Sequence, residues 1–127
     1  MTDTFSLTFP AKAQYALPIR LFVSGIASRM NYSLEELENI KTAVSEGCTI
    51  LMLANVSEDI SMRVMAGDDQ LDVELAAAKN APGEESGKEE DILLSKTILE
   101  AFADSVCICE NDGPDFVIQM TFKRTSR

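Results

Sequence analysis

A single carboxylate, Glu46, stands on the polar side of the most regular stretch of the chain, NYSLEELENIKTAVSEGCTILMLAN, residues 31–55. A carboxylate placed this way has two readings. It is a base or orienting group for a reaction at the helix surface, or it is an ordinary solvated glutamate. The rest of the chain narrows the chemistry. There is no histidine, so a histidine base and a Ser-His-Asp triad are excluded within this chain. The three cysteines are Cys48, Cys107 and Cys109, an odd number and a poor framework for a metal or for disulfides. Cys107 and Cys109 form a C-x-C in an apparent strand, which turns both to one face. All three are expected as inert, reduced thiols, in keeping with a cytoplasmic protein. Gly87-Lys88 could approach an anion, but an isolated Gly-Lys is not a phosphate loop. The acids around it, Glu84, Glu85, Glu89, Glu90 and Asp91, would repel phosphate unless a metal intervened.

The helix that positions Glu46 is well marked. Ser33 is a good N-cap, Glu36 completes a Ser-x-x-Glu capping box, and Tyr32 with Leu37 supplies a hydrophobic staple. From Leu34 towards Ala54, the residues Leu34, Leu37, Ile40, Val44, Cys48 and Leu51 recur every three or four positions. They span about 120° of a helical wheel, with Glu46 roughly opposite. Ala43, Gly47, Ile50 and Ala54 form a narrower edge of mostly small residues. Gly47 costs about 1 kcal/mol of helix propensity, which points to close packing or to a ligand that approaches there.

Around that helix the patterns alternate between periods of two and of about 3.6. Residues 4–9, TFSLTF, read as an edge strand that Pro10 closes. A helix follows, starting between Gln14 and Pro18, since proline is tolerated in a first turn. Leu17, Phe22, Ile26 and Met30, with Val23 beside them, form its apolar stripe, and Arg20 lies off it, expected at the surface. Residues 60–66 and 71–77 alternate as two strands about the turn Gly67-Asp68-Asp69, which predicts an antiparallel hairpin. Residues 80–91 read as a mobile acidic loop. A helix over 92–103 offers Leu94, Ile98 and Ala101 or Phe102 to the core. Residues 105–110 and 116–122 are strands about the turn Asn111-Asp112-Gly113-Pro114. This order predicts a two-layer α/β sandwich, with helices over one face of a mainly antiparallel sheet, as one domain spanning 1–127.

With 21 acidic and 11 basic residues, a formal net charge of -10 argues against broad electrostatic binding to nucleic acid or to an anionic membrane. The N-terminal MTDTFSLTF has neither a basic region nor a long apolar run, so no secretory signal is expected. No apolar run is long enough to cross a bilayer.

Residues 19–46, IRLFVSGIASRMNYSLEELENIKTAVSE, closely resemble the start of bacterial anti-sigma factors with serine/threonine kinase activity, of the general-stress and sporulation type. GIASRM, the capped helix and KTAVSEGCT are far more specific than a generic amphipathic pattern. Residues 92–122 resemble that family's last helix and terminal hairpin, and the likeness is weakest between Ser57 and Asp91. The resemblance implies a histidine-kinase-like ATPase fold (GHKL, Bergerat-type) with a shortened ATP lid. It further implies an ATP and Mg2+ site between helices and sheet, phosphorylation of a serine on an anti-anti-sigma partner, and a homodimer that sequesters a sigma factor.

Carried over residue by residue, the family's Glu-x-x-x-Asn motif places its glutamate, a base or orienting group, at Glu46. Its magnesium-holding asparagine falls at Ile50, whose hydrocarbon offers no oxygen. Asn55 lies more than a turn too far to replace it. The Asp-x-Gly-x-Gly motif falls near AAKNAPG, residues 77–83, which has no aspartate and no paired glycines, and Asp72 inside the preceding strand is a poor substitute. The Gly-x-Gly that leads into the last helix is absent near Ile92-Leu93-Leu94. Arg20 matches an arginine that contacts the sigma factor in the sporulation relative, against the plain reading of a solvated arginine. The resulting expectation is an anti-sigma regulator acting by protein binding, with weak or lost nucleotide binding and no cofactor held tightly. The alternatives are an active ATP-dependent kinase with Glu46 as its retained carboxylate, and a binding module unrelated to sigma factors.

Overall fold

Strict alternation in two neighbouring segments builds the centre of the sheet. In β2 (Asp59–Ala66), Ile60, Met62 and Val64 point inward, and in β3 (Gln70–Ala78), Leu71, Val73, Leu75 and Ala77 do the same. The two pair as the predicted antiparallel hairpin, with Val64 opposite Val73. The computed structural model describes residues 2–54, 58–78, 89–109 and 115–124. The remaining described elements are β1 (Asp3–Pro10), a 3-10 turn (Ala13–Tyr15), α1 (Ala16–Ala27), α2 (Leu34–Leu53), α3 (Glu89–Phe102), β4 (Ser105–Cys109) and β5 (Asp115–Lys123). Residues 80–88 of the acidic loop predicted over 80–91, and the predicted turn 111–114, lie outside the described residues, while Glu89, Glu90 and Asp91 are helical.

The five strands form one sheet in the order β1-β2-β3-β5-β4, every neighbouring pair antiparallel. The inward residues of β2, β3 and β5, among them Phe116, Ile118, Met120 and Phe122, share one core with the buried faces of the helices. The outward face of the same strands is polar, with Arg63 paired to Glu74 at 3.5 Å and Gln119 donating to Glu74 at 2.8 Å. One apolar face and one solvated face are what an antiparallel sheet with helices on one side requires.

Two helices differ from the sequence expectation in which residues they bury. In α1 the buried positions are Ile19, Val23 and Ala27, while Phe22, Ile26 and Met30 flank the core and Leu17 is 53% exposed. The stripe is therefore rotated by about one residue. The segment carries more apolar positions than one face can bury, and α1 rests mainly on α2, so contact with that helix decides. In α3 the buried pair is Ser95 and Leu99, flanked by Ile92 and Ala103, whereas Leu94, Ala101 and Phe102 are exposed and Ile98 is only half-buried. This helix lies chiefly along α2 and only grazes β4, so it needs a seam rather than a broad face. It also starts at Glu89, three residues earlier than expected. Three acids in its first turn, Glu89, Glu90 and Asp91, complement the positive end of the helix.

Between α1 and α2 the chain turns at Asn31, whose φ of 63° is a left-handed conformation that asparagine tolerates well. Next to it Tyr32 is buried and its hydroxyl donates to the carbonyl oxygen of Phe122. Burial pushes its pKa up to about 12, so the hydroxyl stays a donor throughout the neutral range.

Candidate functional site

The capping box that starts α2 is fully formed. The Ser33 hydroxyl accepts from Glu36 N at 3.1 Å, and Glu36 Oε1 accepts from Ser33 N at 2.7 Å. From that fixed start the helix runs twenty residues across the sheet. Ile40, Val44, Cys48 and Leu51 are buried as expected, but Leu34 is 82% exposed, because it sits in the first turn beyond the core. Ala43, Gly47 and Ile50 are as buried as the main stripe. The two apolar edges read from the sequence are one continuous face. Gly47 explains how this face lies so close to the strands: a Cβ there would stand 2.8 Å from Leu75 Cδ1 and 2.9 Å from Met120 Cε. Close packing, not ligand approach, accounts for this glycine.

The two positions singled out for nucleotide chemistry occupy neighbouring turns of α2. Glu46 is half-buried, more covered than a glutamate opposite the apolar stripe would be, because α2 is flanked by both α1 and α3. Ile50 is 0% exposed and belongs to the core. It offers no oxygen to a cation and no cleft for a side chain that would. Beside them, Thr49 Oγ1 donates to Ser45 O at 3.0 Å. The Ser45 hydroxyl is buried without a hydrogen-bond partner among the described residues.

At the far end of β3, Ala77 faces the helix layer and is buried, and Ala78 is exposed. A methyl group at Ala77 reads no adenine. Asp72 lies within β3 on the outward face, where it accepts from Gln70 Nε2 at 2.9 Å and from Thr121 Oγ1 at 2.6 Å. The continuation from Lys79 to Lys88, including Gly87-Lys88, lies outside the described residues. Among the described residues no group of three or more acidic, cysteine or histidine side chains is arranged to hold a metal, and position 50 does not fit a magnesium ligand.

Arg20 is on a different helix, α1, and is not the freely solvated side chain expected. It is half-buried, and its Nε is covered without a hydrogen-bond partner among the described residues. Cys48 is buried, and burial pushes its thiol up to about 12, which makes it unreactive at neutral pH.

One cleft escaped sequence reasoning. It encloses about 270 Å³ between the start of α2, the end of α3 and β5, with Tyr32, Glu36, Asn39, Phe102, Asp104 and Lys123 among its walls. Its carboxylates have structural tasks: Glu36 closes the capping box, and Asp104 Oδ2 accepts from Lys123 N at 2.6 Å. Residues so distant along the chain leave no spacing signal, so nothing short of the fold could have found it.

These features define a class. A five-stranded antiparallel sheet covered on one face by α1, α2 and α3 is the α/β sandwich of the histidine-kinase-like ATPase type. The particular relatives are serine-protein kinases RsbW. The chain is 36% identical over 96 residues to the one from Bacillus pumilus, covering 71% of this chain and 59% of that protein. It is 40% identical over 78 residues to that of Bacillus subtilis, covering 58% and 49%, and 47% identical over 47 residues to that of Halalkalibacterium halodurans, covering 37% and 29%. No family model matches the chain. Each of these relatives is a serine-protein kinase by name, and the chain is similar to them over the stretches given. It spans about half the length of the curated relatives it matches.

Proposed function

We propose that the protein is a regulator of the RsbW type, acting by protein binding in a bacterial stress-response switch, with a sigma factor and an anti-anti-sigma protein as partners. The observation that carries this reading is the similarity to serine-protein kinases across 71% of the chain, seated on the matching fold. That similarity also favours retained serine-kinase activity over the lost nucleotide binding expected from the motifs, since every relative named above is a kinase by name. On the kinase reading Glu46, half-buried on α2, is the carboxylate that serves the acceptor serine.

The buried hydrocarbon at Ile50 and the methyl at Ala77 support a second reading, in which the ATPase frame is kept as a binding scaffold and Mg-ATP binds weakly. Phosphoryl transfer depends on positioned phosphate, metal and acceptor together, and these two positions withhold polar contacts from the first two. Isothermal titration with Mg-ATP, run beside transfer of labelled phosphate to a serine of the anti-anti-sigma partner, separates the readings. Low-micromolar, magnesium-dependent binding with transfer abolished by Glu46→Ala establishes the kinase. Absence of both, with capture of the sigma factor intact, establishes the scaffold. Failure to bind either protein partner overturns the regulatory reading altogether.

A further inference from the structure

Among the described residues β4 is an edge strand, paired with β5 alone. Its alternation sends Val106 and Ile108 against the core, and Cys107 and Cys109 to the opposite, open face of the sheet. There the two sulfurs stand 3.1 Å apart. Cys107 is exposed, Cys109 is half-buried, and both are free thiols. Their neighbours across the ladder are Gln119 and Val117, neither of them a carboxylate. Two thiols held this close, one of them open to solvent, are arranged as a redox-sensing pair is, an exposed cysteine next to a resolving one.

We propose that Cys107 and Cys109 are a peroxide-responsive dithiol that closes reversibly to a disulfide within β4. The Cys107 sulfur, as thiolate, attacks one oxygen of hydrogen peroxide. The O–O bond breaks, the departing hydroxide is protonated to water, and Cys107 becomes a sulfenic acid. The Cys109 sulfur then attacks the Cys107 sulfur. The S–S bond forms, the S–O bond breaks, and a second water leaves with the Cys109 proton. The peroxide gains two electrons, and each sulfur gives one. The hydrogen bond with Cys107, with partial burial behind it, holds the Cys109 thiol above its ordinary value. This suits the partner that keeps its proton until the second step.

The fold permits closure. Successive same-face residues of a strand lie about 6.6 Å apart at their Cα atoms, inside the roughly 6.8 Å limit for a disulfide, and closure must also draw the two Cβ atoms to within about 4.5 Å of each other. The sulfurs must approach by about 1 Å to reach a bond of about 2.05 Å. A strand with a neighbour on one side only can bend to allow it. Cys48, buried in α2 with its pKa up to about 12, takes no part.

The test uses the full reduced chain and one equivalent of hydrogen peroxide, followed by thiol titration after denaturation and by intact-mass and peptide mapping. The expected result is a fall from three titratable thiols to one, loss of two hydrogens in mass, a Cys107–Cys109 link, and return of all three thiols with dithiothreitol. Cys48→Ser should lose its two remaining thiols in the same way. Cys109→Ser should stop at a sulfenic acid trapped by dimedone, and Cys107→Ser should react much more slowly than the parent. Persistence of three thiols overturns the proposal. So does a bond to Cys48, a disulfide between two chains, or a Cys107→Ser variant that oxidises at the parental rate.

Discussion

Replacing Ile50 by asparagine restores, on paper, the oxygen that a magnesium site would need, and it tests whether position 50 faces a nucleotide or the core. The side chain is 0% exposed and lies among the core residues of α2. Removing it from that environment forfeits about 1.5–3 kcal/mol of burial. Leaving an amide there without partners costs about 1–3 kcal/mol more. A combined loss of about 2.5–6 kcal/mol follows. With roughly 2.1 cal/mol/K of unfolding entropy per residue, a chain of this length loses about 10–20 °C in Tm. Differential scanning calorimetry of Ile50→Asn measures this directly. Ile50→Val, which deletes one methylene, should lower stability by only about 1 kcal/mol. A Tm within a few degrees of the parent, together with new magnesium-dependent ATP binding, would refute the core assignment and place residue 50 on an open nucleotide groove.

Alkaline stability is a second test. The folded state holds Tyr32 near 12 against an ordinary 10, and Cys48 near 12 against an ordinary 9. Between those values the unfolded chain has released protons that the folded chain keeps, so stability falls as pH rises from about 9 to about 12. Melting temperature followed from pH 8 to 11 should decline, and Cys48→Ala should flatten the part of the decline that begins near 9. Arg20→Ala should leave the circular dichroism spectrum unchanged, with a stability change within about 1 kcal/mol, and should weaken capture of the sigma factor; unchanged affinity would remove Arg20 from the interface. Light scattering at micromolar concentration should give twice the chain mass, and a monomer throughout that range would exclude a stable homodimer.

Elements were far easier to read from the sequence than faces. Alternation in 60–66 and 71–77 has a single structural solution, because one register buries Ile60, Met62, Val64, Leu71, Val73, Leu75 and Ala77 and a slip of one residue would turn them all outward. The Ser33–Glu36 box was equally legible, since its two hydrogen bonds are local. The stripes of α1 and α3 were not. Leu17, Leu94 and Phe102 are as apolar as Ile19 or Leu99, and only the neighbouring helix decides which of them is covered. The candidate site divides along the same line. That Glu46 and Ile50 share one helix was plain from their spacing, and so was the poverty of oxygen ligands. That Ala43, Gly47 and Ile50 merge with the main stripe into one face depends on how tightly α2 sits on Leu75 and Met120, a tertiary fact with no local signature.

The place of β5 in the sheet bears on how the protein is made. It follows β4 in sequence, yet it lies between β3 and β4. Its residue Phe122 receives the Tyr32 hydroxyl from ninety residues earlier, and Arg124 just beyond it donates to the Met30 carbonyl at 3.3 Å. During synthesis from the N-terminus, β3 therefore emerges with one hydrogen-bonding edge bare and stays so until β5 (Asp115–Lys123) leaves the ribosome. A bare, alternating, apolar-faced strand invites pairing with other chains. The nascent protein passes through a sticky interval that the arrival of β5 ends. A stop codon placed before Phe116 should yield an aggregating chain rather than a smaller folded one.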